Sequence, residues 1–135
     1  MLVRSKVVVK AVVTAEYKDR LISQLSQALS KVEASLHQLE VQGRQYLADL
    51  EGADSARAAE FREKLTRQQM RQEQAKTSLS ARLAEVRNME IGSEHPHTAL
   101  EGLSELNVGD NLAEKLLETE VLVKDDVIVE IRNAR

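Results

Sequence analysis

The sequence predicts an α+β protein: a small antiparallel β module formed by both chain ends, with a long antiparallel helical hairpin, a coiled-coil arm, inserted between them. Three observations lead there. Residues from about Thr14 to Glu90 hold two glycines and no proline, and their apolar residues recur at steps of three and four. A valine-rich run, Lys6 to Val13, precedes them. Two more, Glu120–Val123 and Val127–Ile131, follow near the other end. The division this implies is residues 1–13 with 91–135 as the β module and 14–90 as the arm, turning near 51–55.

The first run is a strand because β-branched side chains suit a pleated surface. Thr14 ends it and caps the first helix: its hydroxyl can accept from an orphan backbone N–H, and Glu16 favours the positive helix end. The first helix carries Ile22, Leu25, Leu29, Val32, Leu36, Leu39, Gly43, Tyr46 and Leu50 on one stripe. Glu51-Gly52-Ala53-Asp54-Ser55 breaks it. Glycine tolerates the left-handed conformation that ends helices, and Asp54 or Ser55 can cap the next one.

The second helix continues the stripe less well, through Phe61, Leu65, Gln68, Gln72, Ala75, Leu79, Arg82, Val86 and Met89. Folding the chain at the break sets Leu50 beside Phe61, Tyr46 beside Leu65, Leu36 beside Ala75 and Leu25 beside Val86. Glu33 then reaches Lys76 and Asp49 reaches Lys64. Gln68 and Gln72, opposite Gly43 and Leu39, leave the distal third under-packed.

After Ile91-Gly92 the helical pattern stops. Leu100 to Val108 reads as a strand ending in the turn Val108-Gly109-Asp110, and Asn111 to Leu117 as a helical turn. The last two runs flank Lys124-Asp125-Asp126 as a tight hairpin. Asp-Asp is a poor turn pair, because type I′ geometry needs positive φ at both centres. An isolated hairpin is marginal in water, so the first strand is expected to pair with one of its strands. Charge agrees: residues 1–13 carry Arg4, Lys6 and Lys10 without an acid, and residues 91–135 carry ten acids against four bases.

The opening Lys6-Val7-Val8-Val9-Lys10-Ala11-Val12-Val13-Thr14 with Tyr17-Lys18 resembles the start of the YlqD family of uncharacterised bacterial proteins. The ending resembles it too, in Glu101-Gly102, Val108-Gly109-Asp110, Val121-Leu122-Val123-Lys124-Asp125 and Val127-Ile128-Val129-Glu130-Ile131. The resemblance spans essentially the whole chain and departs at Asp126, where glycine is expected. It implies no activity and no catalytic residue.

Composition removes several functions. Without cysteine there is no disulfide and no thiolate nucleophile or metal site. Glu94-His95-Pro96-His97 is the one cluster of metal-ligating types, and it reads as a polar loop leaving a helix, since structural zinc wants four ligands. His37 reads as solvent-facing. No glycine-rich phosphate loop, nucleophile spacing or paired catalytic carboxylate stands out. The expectation is therefore no enzyme and no cofactor.

No apolar run reaches the roughly 20 residues of a membrane helix. Lys6 and Lys10 interrupt the N-terminal apolar stretch, which is unlike a signal peptide. A cytoplasmic protein without a membrane partner is expected. Nucleic acid is disfavoured, because residues 91–135 carry −6 and no aromatic. The better basic surface is the edge formed by Arg57, Lys64 and Arg71 at seven-residue spacing. At the arm's tip Tyr46, Leu47, Leu50 and Phe61 supply apolar anchors of the kind protein interfaces favour.

The resulting reading is an interaction or scaffolding protein with a protein partner and potential homo-oligomerisation. A ribosome- or RNA-associated factor and a prefoldin-like holdase are the alternatives, the last by analogy of architecture only.

Overall fold

The computed structural model describes residues 1–115 and 118–133. Its elements run β1 (Leu2–Val12), α1 (Ala15–Ala53), α2 (Ser55–Arg87), β2 (Glu94–Glu105), α3 (Leu112–Lys115), β3 (Thr119–Lys124) and β4 (Val127–Asn133). The chain forms two compact units, Met1–Asp19 with Met89–Arg135, and Arg20–Asn88.

The first unit is a four-stranded sheet in the order β2-β1-β3-β4. β1 is internal and is the partner of both β2 and β3. It pairs antiparallel with β2 from Leu2↔Glu105 to Val12↔Glu94. It pairs with β3 from Val7↔Thr119 to Ala11↔Val123. The expected union of the first strand with the C-terminal hairpin therefore occurs, through β3.

This last pairing is parallel, a departure from the all-antiparallel module read from the sequence. β2 runs against β1, and β3, which runs against β2, lies on the other side of β1. A strand reversed twice runs with the first one.

The strands are also longer than the valine pattern. β1 begins at Leu2, not Lys6, and the pairing is sealed beyond it by Leu106 N–H donating to the Met1 carbonyl at 2.8 Å. β2 begins at Glu94 and stops at Glu105, so Glu94-His95-Pro96-His97 is strand and not the expected loop, and the strand assigned to Leu100–Val108 lies too late. Backbone satisfaction explains the difference. The polar groups along one side of β1 need partners whatever side chains the partner strand carries. Pro96 lacks an N–H but sits on an edge strand, opposite Lys10, where the register shifts.

The turn at Asn107–Asp110 forms as expected, with Gly109 at φ 101° and the Asn107 N–H donating to Asp110 Oδ2 at 2.8 Å. α3 is described from Leu112 to Lys115; Leu116 and Leu117, the rest of the expected turn, lie outside the described residues. β3 and β4 form the hairpin, and Asp125 and Asp126 both take positive φ, 47° and 67°, as type I′ geometry demands. Apart from Leu122, which pairs with Lys10 and lies on the other face, the buried residues of the sheet unit are Val9, Ala11 and Val13. These share one face of the pleat.

The second unit is the antiparallel helical hairpin. Its break falls on Asp54 alone. Asp54 is extended (φ −154°) and its carboxylate accepts from the N–H groups of Ala56 and Arg57. Gly52 lies inside α1 and is absent from the positive-φ residues, so it is not the left-handed terminator expected of it.

Because α1 runs to Ala53, the two helices meet about one turn away from the expected register. Tyr46 packs on Phe61, and Leu65 seats over Gly43. An ion pair joins Arg62 and Glu51 across the helices, and among the described residues the expected Glu33–Lys76 and Asp49–Lys64 pairs do not form. On α2 the buried side chains are Ala58, Leu65, Leu83 and Val86. Gln68 and Arg82, assigned to the stripe, are exposed. The stripe passes through Leu83 instead, because burying a leucine is favourable and burying an unpaired guanidinium is costly.

Candidate functional site

The tip of the hairpin is built by two features of the sequence. Asp54 folds the chain within a single non-helical residue, and Gly43 lets the helices approach closely. A Cβ on Gly43 would stand 2.7 Å from Leu65 Cδ1, so this glycine is the socket for Leu65, not the packing gap it was expected to be. Beyond it, Tyr46 and Phe61 meet edge to face with centroids 4.7 Å apart. Such a pair adds about 0.5–1.5 kcal/mol beyond its area.

Of the four tip residues singled out in the sequence, Phe61, Leu47 and Leu50 are half-buried. Tyr46 remains 49% exposed although its ring meets Phe61. Leu47, off the expected stripe, is nonetheless partly covered.

The under-packing moves with the register. It lies in mid-hairpin, on either side of the seam. One groove of about 470 Å³ is lined by Leu36, Glu40, Thr66, Gln69, Met70, Glu73 and Gln74. Another of about 320 Å³ is lined by Ser35, Leu39, Gln68, Arg71 and Gln72. Met70 stands 58% exposed at the first. Glutamines cannot fill a helix–helix seam as leucines do without leaving amides dry, so the grooves stay open to water.

Arg57, Lys64 and Arg71, the basic edge, are all exposed on α2. Glu60, Glu63 and Glu73 are exposed on the same helix. Close acids dilute the field a phosphate backbone would meet, so the edge is no continuous basic stripe. His37 is exposed, as expected.

The histidines of Glu94–His97 answer to packing. His95 lies opposite Ala11, and Tyr17 from the first turn of α1 stands 6.2 Å from both the His95 and His97 rings. His95 Nδ1 is buried with no hydrogen-bond partner. Among the described residues no three His, Cys, Asp or Glu are placed to share a metal ion.

One polar constellation was legible only as a charge asymmetry. On the face carrying Lys10, its Nζ lies 2.9 Å from Glu120 Oε1, and Arg132 Nε lies 2.9 Å from Glu120 Oε2. Arg132 also bonds Glu94 and approaches Glu130 at 3.7 Å. Arg132 lies on one edge strand and Glu94 on the other, so the network spans all four strands. The Lys10 hydrogen bond foremost, and then Arg132, hold the Glu120 carboxyl below its ordinary value despite some desolvation. Bonds to Glu94 and then Glu120 push the Arg132 guanidinium upward. These groups are mutually satisfied, which is the signature of a structural clasp more than of a reactive site.

Among the described residues no helix is long and apolar enough to cross a membrane. A family model described as "YlqD protein" matches residues 1–132. A solved structure, a protein of unknown function from Synechococcus sp. WH 8102, is similar with a TM-score of 0.80 and 25% identity over 98% of this chain and 94% of that one. No curated protein matches.

Proposed function

This chain belongs to the YlqD family, and from that premise we propose that it is a cytoplasmic, non-enzymatic interaction or scaffolding protein that grips a protein partner with its helical hairpin. The observation that carries this reading is Tyr46. A half-exposed aromatic, held rigid against Phe61 at 4.7 Å beside partly covered Leu47 and Leu50, is a preorganised anchor. The mid-hairpin grooves add apolar contact at Leu36 and Met70 with acidic rims at Glu40 and Glu73. That combination suits a partner segment with apolar side chains flanked by basic ones.

The test is crosslinking and affinity capture at native expression, run for the wild type and for Tyr46→Ser. Tyr46→Ser also gives up the contact with Phe61, so the melting temperature should fall somewhat; at a temperature where both proteins are fully folded, capture of the main partner should fall sharply. Equal capture by the variant would sink the reading. Ribosomal components retained through Arg57, Lys64 and Arg71 would favour an RNA-associated role. A broad set of unfolded clients would favour a holdase.

A further inference from the structure

The two edges of the sheet are not alike. Edge strands need protection because their outer N–H and C=O groups can template another chain. β2 carries it: Pro96, Gly102, a register shift, and the acids Glu94, Glu101 and Glu105. β4 carries fewer of these devices: a register shift at Val129 and the single acid Glu130, with no proline or glycine. Val127, Ile128, Val129 and Ile131 are 63%, 58%, 52% and 66% exposed, and among the described residues no strand pairs with its outer side.

We propose that β4 is a dimerisation edge, on which a second copy of this chain lays its own β4 antiparallel with Ile131 on the two-fold axis. The occupant is argued from charge. A two-fold pairing must set one residue opposite itself. With Ile131 there, Glu130 faces the second copy's Arg132 and Arg132 faces its Glu130, two opposite-charge cross-strand pairs around an apolar centre.

The neighbouring registers fail on the same grounds. An axis at Glu130 opposes two carboxylates. An axis at Ile128 opposes Glu130 to Asp126. An axis at Val129 sets Glu130 against Ile128 and falls where the β3–β4 register shifts, between Val123↔Ile128 and Leu122↔Glu130. Arg132 already meets Glu94, Glu120 and Glu130 of its own chain, and the own-chain Glu130 stands farthest, at 3.7 Å, so the second copy's Glu130 exchanges with that contact. This surface lies in the sheet unit and stands independently of the partner proposed for the hairpin.

The test is sedimentation equilibrium of the full chain over a wide concentration range. The wild type should rise from 15.1 kDa toward twice that mass. Ile131→Glu and Ile131→Lys each place like charges on the axis and should weaken association about tenfold or more. Mixed in equal amounts, they should recover the dimer, because only this register brings position 131 against itself. Hydrogen exchange of wild-type β4 amides, which needs no variant to fold, should slow as concentration rises. A wild-type mass of 15.1 kDa throughout with concentration-independent exchange overturns the proposal, as does a folded pair of variants that fails to reassociate when mixed.

Discussion

Thr14 shows how much one side chain can be asked to do. Its hydroxyl oxygen accepts from the Tyr17 N–H at 3.1 Å, which caps α1. The same hydroxyl donates to Asp125 Oδ1 at 2.7 Å, tying the start of the helix to the β3–β4 turn. Thr14→Ala removes both bonds and should cost about 1–2 kcal/mol, read by urea unfolding. Thr14→Ser keeps them and should recover most of the loss; failure of serine to do so would show that the methyl group, not the hydroxyl, matters.

Glu120 makes a different claim, about pH. Its carboxyl is held below the ordinary value of 4.5 by Lys10 and then Arg132. A folded-state value below the unfolded one contributes stability that is complete above the unfolded value and lost as pH falls through the folded value. Glu120→Gln should therefore melt below the wild type at neutral pH, and the gap should close as the solution is acidified past 4.5. A gap of constant size from neutral to acid pH would mean the clasp acts through shape and not through charge.

At the scale of elements, the hairpin's register is decided by its smallest residue. Gly43 admits Leu65, and this contact, with Tyr46 on Phe61, locates α2 along α1. Gly43→Leu should overpack the socket and destabilise the protein by about 1–3 kcal/mol. Gly43→Ala should be nearly neutral, because a helix gain of about 1 kcal/mol offsets the displacement of Leu65. Thermal melts of both variants check the pair. If leucine is tolerated as well as alanine, the close approach does not set the register.

The whole molecule depends on β1 more than its length suggests. It is the shared partner of β2 and β3, and among the described residues β4 pairs with β3 alone. Deleting residues 1–13 should strip hydrogen-exchange protection from β2 and β3 together, since a two-stranded hairpin left alone is marginal. The hairpin formed within Arg20–Asn88 should keep its mid-helix protection. Loss of protection throughout would mean the two units do not unfold separately; persistence in β3 would mean that hairpin closes without β1.

Periodicity and composition by themselves determined the helical hairpin, the valine-rich strands, the Thr14 cap, a cap at Asp54 or Ser55 and the union of the chain ends. Those are local preferences or consequences of short-range pattern, and the sequence carries them residue by residue. The tertiary structure alone decided that Glu94–His97 joins a strand, because the need of β1 for backbone partners outweighs weak side-chain preference. It decided that β3 runs parallel to β1, a matter of which side of β1 the chain returns to. It placed Asp125 and Asp126 in left-handed turn positions, the second where glycine was expected, since the paired strands on either side leave no other path. At the candidate site the tip residues could be named from the stripe, but not which of them stays open. Exposure of Tyr46 follows from a register set by the contact of Gly43 with Leu65, and a contact between distant residues is something periodicity along one chain does not encode.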